Sequence, residues 1–169
     1  MKAYLPNVLT FTNLGLGILA LLSVFARDYT LSAILIITAA LMDRFDGQLA
    51  RKLDAESEIG KQLDSLCDLI SFGVAPAVLI WSFSLQIFGI IGIIVIILFA
   101  VAGAYRLAKF NVTEFDGSFS GVPITLAGGF VALITLFSIN YGISENVILV
   151  MVPLLSYAMV SKRIKLKKK

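Results

Sequence analysis

Histidine is absent from this 169-residue chain, and cysteine occurs once, at Cys67. Zinc sites built from Cys and His, Ser-His triads and disulfide frameworks all need those residues, so each is excluded. Charge is scarce too: 15% of residues are Asp, Glu, Lys or Arg, where a soluble domain carries about 25%. Apolar residues make up 59% of the chain, and the mean hydropathy is +0.94. That balance excludes a water-soluble core and describes a protein that crosses a bilayer several times. No repeat, low-complexity run or interdomain linker breaks the pattern.

Roughly 20 apolar residues are needed to cross the hydrocarbon layer. The apolar runs therefore predict an all-α integral membrane protein with six transmembrane helices, near 7–26, 30–52, 57–82, 86–110, 121–140 and 145–162. Arg27-Asp28, the polar stretch 54–58, Ser82-Phe83-Ser84, the segment 111–121 and Asn140-Tyr141-Gly142 supply the breaks. Ser57, flanked by Glu56 and Glu58, suits a helix N-terminus, where negative charge is favoured. The first apolar run is too long for the core of a signal peptide and is read as a retained span.

One transmembrane domain over 1–163 is expected, followed by a basic tail over 164–169. Lys162, Arg163, Lys165, Lys167, Lys168 and Lys169 hold six of the fourteen basic residues. With six spans, Lys2, Arg51, Lys52, Lys61, Arg106, Lys109 and the tail fall on one side, which the positive-inside rule assigns to the cytoplasm. The expected location is the cell membrane, multi-pass, with both termini cytoplasmic. The tail is a topology anchor, or it also contacts anionic lipid headgroups; no nucleic-acid partner is expected.

Against this apolar background the acids are conspicuous. Asp43 and Asp46 lie in the second run, Asp64 and Asp68 in the third, and Asp54 between them. Ionised carboxylates within hydrocarbon are costly unless paired or metal-bound, so they are read as functional; Asp54 is read as a loop charge. At helical spacing Asp43, Asp46, Gly47, Ala50 and Arg51 share one face, and Gly60, Asp64, Asp68, Ser71 and Ala75 share another. Asp43 lies on the order of 15 Å below the end of its helix, so the site is expected to be a cavity open to the cytoplasmic side.

If the two faces meet, four carboxylates converge, and like charges so close need cations. Hard, oxygen-liganded Mg²⁺ or Mn²⁺ fits such a set. Two ions about 4 Å apart could clamp a pyrophosphate. Gly47, Ala50 and Gly60 would let a nucleotide lie against the backbone, or would serve close helix packing. Arg51 could grip a phosphate with two parallel hydrogen bonds. Cys67, between two of the acids, is read as a small buried filler.

The run from Asp43 to Asp68 has the form D-x2-D-G-x2-A-R-x8-G-x3-D-x3-D, with all eight fixed positions filled. It resembles the signature of the CDP-alcohol phosphatidyltransferases. The resemblance implies displacement of CMP from a CDP-linked lipid or alcohol by attack of a hydroxyl on phosphorus. It also implies Asp43, Asp46 and Asp64 as metal ligands, with Asp68 as general base and possible ligand. A homodimer is implied as well. Pro6-Asn7-Val8-Leu9-Thr10 with Asn13 resembles the family's P-N-x-x-T-x-x-N opening. Asn7 and Thr10 are therefore nucleotide-binding candidates, with interhelical hydrogen bonding as the equal alternative.

Asp64-Ser65-Leu66-Cys67-Asp68 with Ser71-Phe72-Gly73-Val74-Ala75-Pro76-Ala77 looks like the serine-accepting branch, the phosphatidylserine synthases. So do Arg106-Leu107-Ala108-Lys109-Phe110-Asn111 and the F-S-G-V-P run from Phe119 to Pro123. That branch implies CDP-diacylglycerol and L-serine as substrates and phosphatidylserine and CMP as products. Arg106 and Lys109 then become candidates for the acceptor carboxylate or lipid phosphate, or else positive-inside anchors. Other readings keep the chemistry with an ether-lipid donor, or with inositol phosphate or glycerol phosphate as acceptor. A cation transporter would also bury acids, but it should show inverted repeats or broken helices.

Overall fold

In hydrocarbon a backbone must satisfy its own hydrogen bonds, and apolar runs of this length do so as helices. The computed structural model describes residues 4–53, 57–112, 118–161 and 165–167, with side chains over 8–45, 57–112 and 121–161. Helix α1 (Tyr4–Phe25) leads into α2 (Tyr29–Leu53). The third run is α3 (Glu58–Asp68), a π-helical turn (Leu69–Val74) and α4 (Ala75–Phe83) without a break. A short 3₁₀ turn (Leu85–Phe88) precedes α5 (Ile90–Val112), and α6 (Ile124–Tyr141) and α7 (Glu145–Val160) follow.

Local chemistry accounts for the ends. Arg27, at φ +60°, closes α1 while Asp28 N–H reaches back to the Ser23 carbonyl at 2.9 Å, a Schellman-type ending. Asp28 Oδ1 then caps α2 by accepting from Leu31 N–H at 2.9 Å. Ser57 caps α3, its Oγ accepting from Gly60 N–H at 3.0 Å, with Glu58 in the first turn.

Among the described residues, four helices are long and apolar enough to cross a membrane: Val8–Phe25, Glu58–Phe83, Ile90–Val112 and Ile124–Tyr141. Helix α7 is apolar but spans 16 residues, and α2 carries acids and bases through its second half. The chain is thus an all-helical, membrane-associated protein in its main architecture. The fourth run starts at Ile90, later than its apolarity suggests, because the 3₁₀ turn folds back onto it and Gly89 reverses the chain at φ +53°.

Two short strands add to the helices. Ser118–Ser120 (β1) pairs antiparallel with Lys165–Lys167 (β2), Phe119 opposite Leu166. Part of the basic C-terminal stretch is thereby joined to the segment that enters α6. Val122 N–H donates to the Ala158 carbonyl at 3.1 Å beside that ribbon.

Helix α1 packs along α2, α2 and α4 along α6, and α5 along α7, with the π turn lodged between α1, α5 and α6. Small residues permit these approaches. A Cβ on Gly128 would lie 2.5 Å from the Phe72 carbonyl oxygen and 2.8 Å from its Cα. Gly17 meets Ser71 equally closely. Phe72, Phe99, Leu79, Ile80 and Ile124 fill the interior, while Phe25, Ile90, Ile97 and Leu154 face outward, as lipid contact requires.

Gly128→Val should destabilise the fold by about 1–3 kcal/mol, lowering the melting temperature in detergent. Gly129→Ala, whose added Cβ meets nothing within 4 Å, should leave it unchanged.

Candidate active site

The second and third helical runs bring their acids together. Asp43, Asp64 and Asp68 each offer an oxygen, and these oxygens lie within 4.8 Å of one another. Asp68 is buried, while Asp43 and Asp64 are half-buried. Three carboxylates this close in an apolar bundle repel unless a cation or shared protons offset them. Among the described residues the grouped donors are carboxylate oxygens, a set that suits a hard divalent ion. The cluster is therefore able to hold a metal.

Polar groups from other helices surround the acids. Asn13 on α1 donates from Nδ2 to Asp68 Oδ1 at 3.0 Å, and Thr125 on α6 donates from Oγ1 to Asp43 Oδ2 at 3.1 Å. Arg106 on α5 lies within electrostatic range of Asp68, and its Nε is buried without a hydrogen-bond partner. A guanidinium held beside the acids with an unused donor is ready for an anionic ligand.

The other candidates are distributed as follows. Thr10 is buried one turn before Asn13, Gly60 lies in the first turn of α3, and Lys109 sits half-buried in the last turn of α5. Asp46, Gly47, Ala50 and Arg51 belong to the last turns of α2, and Asn7 to the first turn of α1. Their side chains, and Asp54, lie outside the described residues.

One contributor escaped the sequence reading, and a second was named there without its role. Thr125 is one of two threonines in the apolar α6, and only its position two residues after Pro123 sets it apart. Asn111 ties the end of α5 to α3: its Nδ2 donates to Ser65 Oγ at 2.9 Å and Gln62 Oε1 at 3.1 Å. Its carbonyl accepts from Lys61 Nζ at 3.2 Å, and Lys61 lies over the Phe110 ring. The helix bearing Asp64 and Asp68 is thus latched to the helix bearing Arg106.

The profile of the CDP-alcohol phosphatidyltransferases matches residues 3–160 of this chain. The chain belongs to that family. Among its relatives is a CDP-diacylglycerol–serine O-phosphatidyltransferase of Bacillus subtilis, 38% identical over 94% of this chain and 88% of the relative. A protein of the same name from Helicobacter pylori is 34% identical over 92% of this chain and 69% of the relative. An archaetidylserine synthase of Methanothermobacter thermautotrophicus is 41% identical over 73% of this chain and 54% of the relative. The chain is accordingly an enzyme of phospholipid biosynthesis that works by CDP-alcohol phosphatidyltransferase chemistry. This chemistry is metal-dependent in the family generally, and the aspartate cluster accommodates that requirement.

Thr125→Val removes the donor that orients Asp43. Loss of such an outer partner should weaken Mn²⁺ binding by about tenfold, read by the electron paramagnetic resonance of free Mn²⁺ in a titration. Asp64→Asn should weaken it further than Thr125→Val does.

Proposed function

We propose that this protein transfers a phosphatidyl group from CDP-diacylglycerol to L-serine, giving phosphatidylserine and CMP. The observation that carries this reading is the trio Asp43, Asp64 and Asp68 with the Arg106 guanidinium beside it. Likeness to serine-specific relatives over nearly the whole chain supports the choice of acceptor.

Asp43, Asp46 and Asp64, with one oxygen of Asp68, would hold one or two Mg²⁺ or Mn²⁺ ions. Such ions would offset the charge of the pyrophosphate and of the entering and leaving oxygens. Asp68 takes the proton from the serine hydroxyl as the serine oxygen bonds to the phosphorus bearing diacylglycerol. The bond from that phosphorus to the bridging oxygen breaks, and CMP leaves with the electron pair. Arg106 receives the serine carboxylate, with Lys109 near the lipid phosphate. Gly47, Ala50 and Gly60 let the nucleotide approach the backbone, Arg51 binds a phosphate, and Asn7 and Thr10 line the nucleotide end.

In this reading the domain over 1–163 spans the membrane six times, with both termini and the mouth of the cavity in the cytoplasm and the tail at the headgroups. The functional unit is a homodimer. A second reading, with an ether-lipid donor and the same acceptor, is favoured by the archaetidylserine synthase relative.

The test is CMP release by purified protein with Mn²⁺ or Mg²⁺, a diacyl or ether CDP-lipid, and serine, inositol phosphate or glycerol phosphate in turn. Release with serine and CDP-diacylglycerol, abolished by EDTA, is expected. Release only with another acceptor or donor would replace the substrate assignment, and silence with all of them would overturn the catalytic reading. Asp68→Asn should abolish turnover while retaining CDP-lipid and Mn²⁺ binding. Joint loss of binding and turnover would make Asp68 an essential ligand rather than the base.

A further inference from the structure

Asn13 contacts the acid cluster from a helix that carries none of the acids. Its side chain is fully buried, and its Nδ2 donates to Asp68 Oδ1 at 3.0 Å. A carboxylate that is to act as base is ionised and only accepts, so the amide presents its nitrogen to Asp68. That orientation leaves Asn13 Oδ1 buried with no hydrogen-bond partner. A buried carbonyl without a donor is destabilising, and a leucine of similar volume would avoid the defect. The amide at this position therefore calls for a role beyond packing.

The backbone around Asn13 is held as firmly as its side chain. Ser71, inside the π turn, donates from Oγ to the Asn13 carbonyl at 3.0 Å. One turn further along α1, Gly17 packs so closely on Ser71 that a Cβ there would collide with it. Asn13 is thus fixed to the same run that carries Asp68, three residues before Ser71. π turns of this kind occur often at functional sites, where they re-aim side chains.

We propose that Asn13 is a positioning residue that, by its hydrogen bond to Oδ1, holds the Asp68 carboxylate in the orientation from which it takes the proton of the acceptor hydroxyl. It rests on the reading of Asp68 as general base. The reacting proton then goes to the Asp68 carboxylate, and Asn13 itself neither gains nor loses a proton. Ser71 acts one step further back, holding the main chain of Asn13.

The test compares Asn13→Leu, Asn13→Ser and Ser71→Ala with the unaltered full-length enzyme, using CDP-diacylglycerol, serine and Mn²⁺. Asn13→Leu is expected to lower kcat by about tenfold or more, in line with the loss of an outer partner. The KM for both substrates and the Mn²⁺ affinity measured by paramagnetic resonance should stay within about twofold. Ser71→Ala should produce a smaller fall of the same kind. If Asn13→Leu fails to fold, Asn13→Ser, which removes the amide without adding apolar bulk, carries the same expectation.

Retention of kcat, or a fall in kcat accompanied by lost Mn²⁺ affinity or a lower melting temperature, would overturn the proposal in favour of a packing role. Asp68→Asn assayed in parallel separates the two ideas. An inactive Asp68→Asn beside an active Asn13→Leu removes only the role of Asn13, whereas an active Asp68→Asn removes the base itself.

Discussion

Mutual repulsion among Asp43, Asp64 and Asp68 is the constraint around which the bundle is arranged. Their oxygens converge within 4.8 Å inside a protein whose described interior is otherwise apolar or neutral, with serine, threonine and asparagine its only other polar side chains. Neither α2 nor α3 gains stability from presenting an acid to another acid, and lipid offers no alternative solvation. Three neighbouring helices bring a compensating group to Asp43 or Asp68: an amide from α1, a hydroxyl from α6 and a guanidinium from α5. A divalent cation would complete that compensation, and the donor set is chemically suited to one.

Holding such groups in register demands short distances between helices. In a bilayer apolar side chains gain little by leaving lipid, so close backbone contact takes over as the cohesive force. Gly17 against Ser71, and Gly128 against Phe72, bring α1 and α6 onto the π turn from two sides. The same turn follows Asp68 directly. Packing and chemistry therefore share one structural element, and a side chain added at either glycine would displace both.

The polar latch at Asn111 has a comparable logic at the edge of the bundle. Its side chain and carbonyl engage Lys61, Gln62 and Ser65, on the first turns of α3. Water reaches this end, so each hydrogen bond is individually modest. Together they tie the helix of Asp64 and Asp68 to the helix of Arg106.

Much of this was legible in the sequence because it is local. Helix positions follow from apolar runs, the cap at Ser57 from residue type, and the inward face of Asp64, Asp68 and Ser71 from helical periodicity. The eight fixed residues from Asp43 to Asp68 identified the family and its chemistry, since close spacing on two consecutive helices is itself a linear signal. What the chain could not reveal by inspection lies in pairings of distant residues. Thr125 meets Asp43 across 82 positions and Asn13 meets Asp68 across 55; β1 meets β2 where only a charged tail was expected. Helical periodicity says which way a side chain points, but not what stands opposite. That is decided by how the helices cross, and the crossing depends on where glycine lets two backbones touch.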